Sequence, residues 1–356
     1  MKKRRRLLQK LKKSILEDIS KIEIKIHRFI LSGPYLWSDL NRKIGKLKLN
    51  DTYSRSKRMP NYRKQAFVRF RKRSLTVFLN PTKGALPQCM IEMSYPYQIL
   101  LSKLRSKLPD LKVSAAEYTI DLFFEDPEDV RKYFNLIYRY IYFPYQKELV
   151  LHSDKELDDI TRDKNAWVFT KKMKLYERGP DNKIKKSGGY WLLDDVDRIR
   201  IELKAKWKDL KPYGLTSLKL FSKNPKFDLM LKDKFRFKRF KESATNLPSE
   251  YDDYSVKDSE GHSGAFQNQY LYLKKQKSVK NFSQSIENVP ELKKLYAKIL
   301  DKILNREKRW EKKYREVNKK EIAKIEKVER ETGWRTVSIE EAKHEQLKTC
   351  TKQIKG

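Results

Sequence analysis

Three stretches of this chain alternate apolar and polar residues with a period of two: KIEIKIHRFILSG (21–33), SAAEYTIDLFF (114–124) and DRIRIELKAKW (197–207). A helix cannot bury such a pattern on one face. A β-strand can, because successive side chains point to opposite sides. In the first stretch Ile22, Ile24 and Ile26 share one face, Glu23, Lys25 and His27 share the other, and Gly33-Pro34 closes the strand. In the third, Ile199, Ile201 and Leu203 oppose a row of Arg198, Arg200, Glu202 and Lys204. The chain therefore has to build a sheet with one apolar and one charged face.

Other segments extend this frame. FVRFRKRSLTVFLNPTKG (67–84) reads as one or two strands ending in a turn, CMIEMSY (89–95) as another, and residues 97–108 as a short helix ending before Pro109. After the strand at 117–124, Asp126, Pro127, Glu128 and Asp129 form a helix start. That helix carries Val130, Phe134, Ile137 and Ile141 on one face. AWVFTKKMKLYE (166–177) reads as one more alternating strand. The expected fold is α+β, a largely antiparallel sheet with packed helices. A likeness between the strands at 22–30 and 117–124 would suit duplicated half-domains. The expected organisation is a basic N-terminal helix (1–20), an α+β core (21–240), a linker or loosely packed segment (241–290), a basic C-terminal helix (291–331) and a polar tail (332–356).

With 83 Lys and Arg against 47 Asp and Glu, the formal charge is +36, which calls for a polyanionic partner. Nucleic acid is favoured over a membrane surface. No apolar run is long enough to span a bilayer, and the basic N-terminus has neither an apolar core nor a cleavage site of a signal peptide. Two cysteines without a CxxC disfavour a disulfide framework and a cysteine zinc site and point to the cytoplasm. The four histidines stand far apart, and neither HExxH nor a P-loop occurs, which disfavours a histidine-based zinc hydrolase and ATP hydrolysis of the P-loop type.

Chemistry has few places to sit. Glu117 and Asp121 lie on one face of the second strand with Thr119, and carboxylates at that spacing, about 7 Å per two residues, can share a hard divalent ion such as Mg²⁺ or Mn²⁺. Glu202 is a third acidic position on a polar strand face, either a ligand or an ion-pair partner for Arg198 and Arg200. Solvated charges facing a basic neighbour would give the same pattern. In KLYERGPDNK, Tyr176 follows Lys172 and Lys174 on a polar face that is expected to be wet, and the next residues build a turn. Ammonium groups would favour attack by its phenolate, whose ordinary pKa lies near 10. A strand-edge tyrosine packed over lysine stems is the alternative. Basic and aromatic residues interleave in YRKQAFVRFRKRS (62–74) and KDKFRFKRF (232–240), as single-strand binding asks. The cations expected on DNA are Arg63, Lys64, Arg69, Arg71, Lys72, Arg73, Lys172, Arg198 and Arg200.

The Glu-x-x-x-Asp strand AEYTID, the KLYERG segment, and DRIRIELKAKW followed by LKPYGLTSL resemble the replication initiators of rolling-circle plasmids and filamentous phages, the Rep_trans and phage gene II-like group. The resemblance covers about a third of the chain. It implies a metal-dependent endonuclease that nicks single-stranded origin DNA. A tyrosine becomes joined to the 5′ phosphate and a 3′-OH is left to prime synthesis. It places Glu117, Asp121 and Glu202 at acidic metal positions with Mg²⁺ or Mn²⁺, and Tyr176 at the nucleophile with Tyr190 as competitor and Lys174 beside it. The partners it implies are single- and double-stranded DNA at an origin and a host helicase. Where many relatives carry an upstream tyrosine, this chain reads Trp167-Val168-Phe169-Thr170. A non-catalytic nucleic-acid-binding protein of the same fold is the alternative reading.

Overall fold

The computed structural model describes residues 15–49, 59–70, 73–144, 150–152, 167–169, 172–178, 198–232, 234–241, 266, 270–271, 274 and 286–332. The chain divides into two compact units, Met1–Trp310 and Glu311–Gly356. In the first, ten strands make one sheet: β1 (Ile19–Gly33), β2 (Lys48–Leu49), β3 (Tyr62–Phe70), β4 (Arg73–Pro81), β5 (Cys89–Ser94), β6 (Lys112–Phe124), β8 (Val150–His152), β9 (Trp167–Phe169), β10 (Met173–Arg178) and β11 (Arg198–Lys206). Their order is β2-β3-β4-β5-β1-β6-β11-β10-β9-β8, and every neighbouring pair is antiparallel. A small second sheet joins β7 (Ile141–Tyr142), β12 (Arg236–Phe240) and β13 (Ile286–Asn288).

Read outward from the central pair, the two halves of the large sheet follow one plan. On one side the order is β1, β5, β4, β3, β2, and on the other β6, β11, β10, β9, β8. Each central strand is followed by a helix, Trp37–Ile44 after β1 and Pro127–Tyr140 after β6, and each inner flanking strand leads into helix again, Gln98–Lys107 after β5 and Trp207–Leu210 after β11. The expected duplication of half-domains is thus present as topology.

One expectation changes. The stretch 166–177 is two strands, β9 and β10, which fold back on one another so that Tyr176 stands opposite Trp167 and Lys174 opposite Phe169. A long alternating run and a tight hairpin have the same period, and the pattern alone does not tell them apart.

The apolar sheet face carries the core. Phe29, Leu31, Tyr118, Ile120, Leu122, Ile199 and Ile201 are fully buried, with Phe29 against Phe221 at 4.7 Å and Tyr118 edge-on to Phe227 at 5.7 Å. The helix Pro290–Thr332 buries Leu292, Leu295, Ile299 and Ile303 in its first half, the stripe that sequence spacing marks out. Polar clamps hold this part in place: the Trp310 indole donates to the Ser222 carbonyl at 2.9 Å, and Glu307 accepts from the Asn224 side chain and the Asp228 backbone N–H. In the second unit the helix continues to Thr332 with surface ion pairs Lys313–Glu316 and Arg315–Glu311. Among the described residues no helix is long and apolar enough to cross a membrane.

Candidate active site

The charged face of the central strands is largely buried. Thr119, Asp121 and Arg200 are 0% exposed, Glu202 3% and Glu117 7%. On β6 and β11 these charges lie out of water and have to be matched, while Lys172 and Lys174 beside β11 stay exposed.

A bulge in β1 organises it. Ile26 pairs with Tyr118, but the next pair is Arg28 with Glu117, so two residues of β1, His27 and Arg28, oppose one of β6. Both approach the Glu117 carboxylate, His27 Nδ1 at 3.9 Å and Arg28 Nη1 at 3.5 Å. His27 Nδ1 also lies 3.8 Å from Glu202 Oε2 on β11. One donor atom each from His27, Glu117 and Glu202 falls within a 4.8 Å group, the single such group of three among the described residues. The Tyr176 hydroxyl donates to Glu202 at 3.0 Å. A phenol thus adjoins a set of donors from three adjacent strands.

The donor set fits a divalent cation. Two carboxylates supply the anionic charge, an imidazole supplies a neutral nitrogen, and the mixture suits Mn²⁺ better than Mg²⁺, which prefers oxygen alone. Burial and the neighbouring Glu202 push the Glu117 carboxyl above its ordinary range, against the pull of Arg28, Lys204 and Lys174. Burial raises the Tyr176 phenol to about 12, Arg200 draws it down, and Glu202 adds to the rise. A bound cation would favour the charged form of the Glu117 carboxyl, which burial disfavours.

Asp121 stands elsewhere. It faces Arg200 across the β6–β11 ladder and accepts two bonds from that guanidinium, at 2.5 and 2.8 Å. Burial disfavours the charge of Arg200, but the hydrogen bonds it donates to Asp121 outweigh this and hold its pKa above the ordinary value. The expected ligand Asp121 is here the ion-pair partner of Arg200: it lies four residue pairs along the ladder from Glu117, and its oxygens are engaged. In the other half Arg28 on β1 binds Glu92 on β5 at 2.6 Å, diagonally across the ladder, since Arg28 stands opposite Ser94.

The expected DNA-binding cations separate. Arg63 and Lys64 are exposed on β3. Arg198 and Arg200 are buried, Arg198 lying over the Phe123 ring at 5.4 Å and 3.9 Å from Asp121, so both are internal charges. Lys172 binds Asp209 at 2.6 Å. Lys174 is exposed and reaches Glu202 at 3.5 Å. Across the β3–β4 hairpin the Arg69 backbone stands opposite Ser74 and the Arg73 backbone opposite Phe70. Arg71, Lys72 and Tyr190 lie outside the described residues.

His27 is the member that sequence reasoning passed over. It had a signal: the apolar positions run 22, 24, 26 and then 29, 31, a slip of phase at His27-Arg28 that marks the bulge.

No protein-family model and no curated protein matches this chain. Among solved structures, a rolling circle replication initiator protein from Geobacillus stearothermophilus is similar at 9% identity and a TM-score of 0.37, over 73% of this chain and 98% of that one.

Proposed function

We propose that this chain is a DNA replication initiator of the rolling-circle kind that cleaves one strand by transesterification, with Tyr176 as nucleophile. The observation that carries the reading is the hydrogen bond from the Tyr176 hydroxyl to Glu202, a member of the His27–Glu117–Glu202 donor set. The charge of +36 supplies affinity for the polyanion.

In this reading Glu202 orients the phenol and Arg200 opposes its raised pKa. The Tyr176 oxygen attacks phosphorus, the bond from phosphorus to the 3′ oxygen breaks, and the phenolic proton leaves toward Glu202 or solvent while the 3′ oxygen takes up a proton. The products are a 5′-phosphotyrosine and a priming 3′-OH. Exposed Lys174 stands beside the nucleophile and can meet a phosphate oxygen. His27, Glu117 and Glu202 would hold Mn²⁺ or Mg²⁺, which supplies Lewis-acid polarisation of a phosphate and offsets the charge around the phenol. Origin DNA is the substrate and a host helicase the protein partner in this reading.

Incubation with labelled single-stranded DNA and Mn²⁺, followed by denaturing electrophoresis, tests it. The wild type should form a covalent adduct, and Tyr176→Phe should lose the adduct while binding DNA as before. Loss in Tyr190→Phe instead would move the nucleophile to that residue. No adduct from the wild type would leave the alternative, a binding protein whose carboxylates are neutralised by Arg28, Lys174 and Lys204.

A further inference from the structure

A second feature lies at the end of β11. Trp207, which follows the strand directly, is 44% exposed, and Tyr213 is 43% exposed, although large aromatic rings usually seek cover. Lys211 places its ammonium 4.8 Å from the centre of the Trp207 ring. Lys206, Lys208, Lys211 and Lys219 are all exposed on this segment. From Lys204 to Lys226 the sequence holds seven lysines and one acidic residue, Asp209. That carboxylate is engaged, accepting from Lys172 at 2.6 Å and from the Lys206 backbone N–H at 3.0 Å. The two bonds fix the turn that presents Trp207, and Gly214, at φ +68°, closes the following one after Tyr213.

Exposed rings among cations suit a polyanion with accessible planar faces. A duplex hides its base faces in the stack, whereas a single strand offers them to aromatic side chains while lysines meet its phosphates. Glu202 of the candidate site lies five residues before Trp207, roughly 16 Å at ~3.3 Å per residue along the strand. That is a separation of a few nucleotides.

We infer that Trp207 and Tyr213 form a base-stacking platform, flanked by Lys208 and Lys211, for a single DNA strand running to or from the candidate site. The identity of the strand rests on the proposed function, whereas the platform itself rests on exposure and charge.

Binding measured in EDTA keeps the two apart. An end-labelled oligothymidylate of about twelve nucleotides, within the site size of single-strand binders, is titrated by fluorescence anisotropy against the full chain. Trp207→Ala/Tyr213→Ala should weaken binding about tenfold, leave a duplex within about twofold, and be rescued by Trp207→Phe/Tyr213→Phe. Ultraviolet cross-linking of a bromodeoxyuridine oligonucleotide to the wild-type protein, with peptide mapping, needs no variant and should label residues 207–213. Unchanged affinity in the alanine variant, equal loss for duplex, or cross-links confined to other segments overturns the platform. So does unchanged oligonucleotide binding accompanied by lost binding to phosphatidylserine vesicles, which would assign the surface to a membrane. A missing tyrosine adduct with these results intact would sink the nicking reading and leave the platform standing.

Discussion

At the scale of single residues, the site is a set of charges that burial has made interdependent. Glu117 shows the direction of the tension. Its folded pKa is raised by burial and by Glu202, so below the ordinary value of 4.5 the carboxyl is neutral in both states and nothing is lost. As pH rises through and above that value the unfolded chain gives up its proton first, and stability falls. Glu117→Gln should therefore melt higher than the wild type near neutral pH and level with it in acid. The same variant should lose metal-induced stabilisation, which for the wild type amounts to about 2.7 kcal/mol when Mn²⁺ is at a hundred times its Kd. Equal Mn²⁺ shifts in both proteins would dismiss Glu117 as a ligand. Asp121 and Arg200 form the opposite case, a fully buried pair with a bidentate contact. Arg200→Met should destabilise by about 3–5 kcal/mol because it leaves a buried carboxylate, while Arg200→Met/Asp121→Leu should regain most of that loss. Urea melts of the two variants decide it, and equal losses would mean that Asp121 has another partner.

At the scale of elements, two devices set the geometry. The bulge in β1 brings His27 and Arg28 together opposite Glu117, which a regular ladder would not do. The helix from Pro290 packs on the helical segment that follows β11, with Leu295, Ile299 and Ile303 fully buried, Trp310 bonded to Ser222 and its ring edge-on to Phe227. Ile299→Ala leaves a cavity in that layer and should cost about 2–5 kcal/mol, read as a fall in the urea midpoint at unchanged slope. A change below about 1 kcal/mol would mean that this layer relaxes around the loss. The β9–β10 hairpin has a further consequence. It places Tyr176 between β11 on one side and β9 on the other, so the candidate nucleophile sits within the sheet and not at its margin.

At the scale of the whole molecule, a sheet of ten antiparallel strands repeats one topology on either side of the β1–β6 pair. The His27–Glu117–Glu202 set draws on both halves, one residue from β1 and two from β6 and β11. The excess of positive charge predicts steep salt dependence of single-strand binding, since each phosphate contact contributes about −0.7 to the slope of log K against log salt. Arg63→Ala/Lys64→Ala on exposed positions of β3 should reduce that slope by about 1.4 if both meet phosphates. An unchanged slope would take this edge of the sheet out of the interface.

The sequence by itself determined the long central strands and their two faces. A period of two leaves no other way to bury Ile22, Ile24 and Ile26, or Ile199, Ile201 and Leu203, and the helical stripe from Leu292 to Ile303 is equally local information. Glu117, Glu202 and Tyr176 were legible as polar-face residues for the same reason. Only the tertiary structure decided which of those polar residues meet. Register between strands distant in the chain paired Asp121 with Arg200 and withdrew it from the donor set, and the bulge supplied His27 in its place. Alternation says which way a side chain points, whereas strand order and register say what it faces, and these follow from packing along the whole chain.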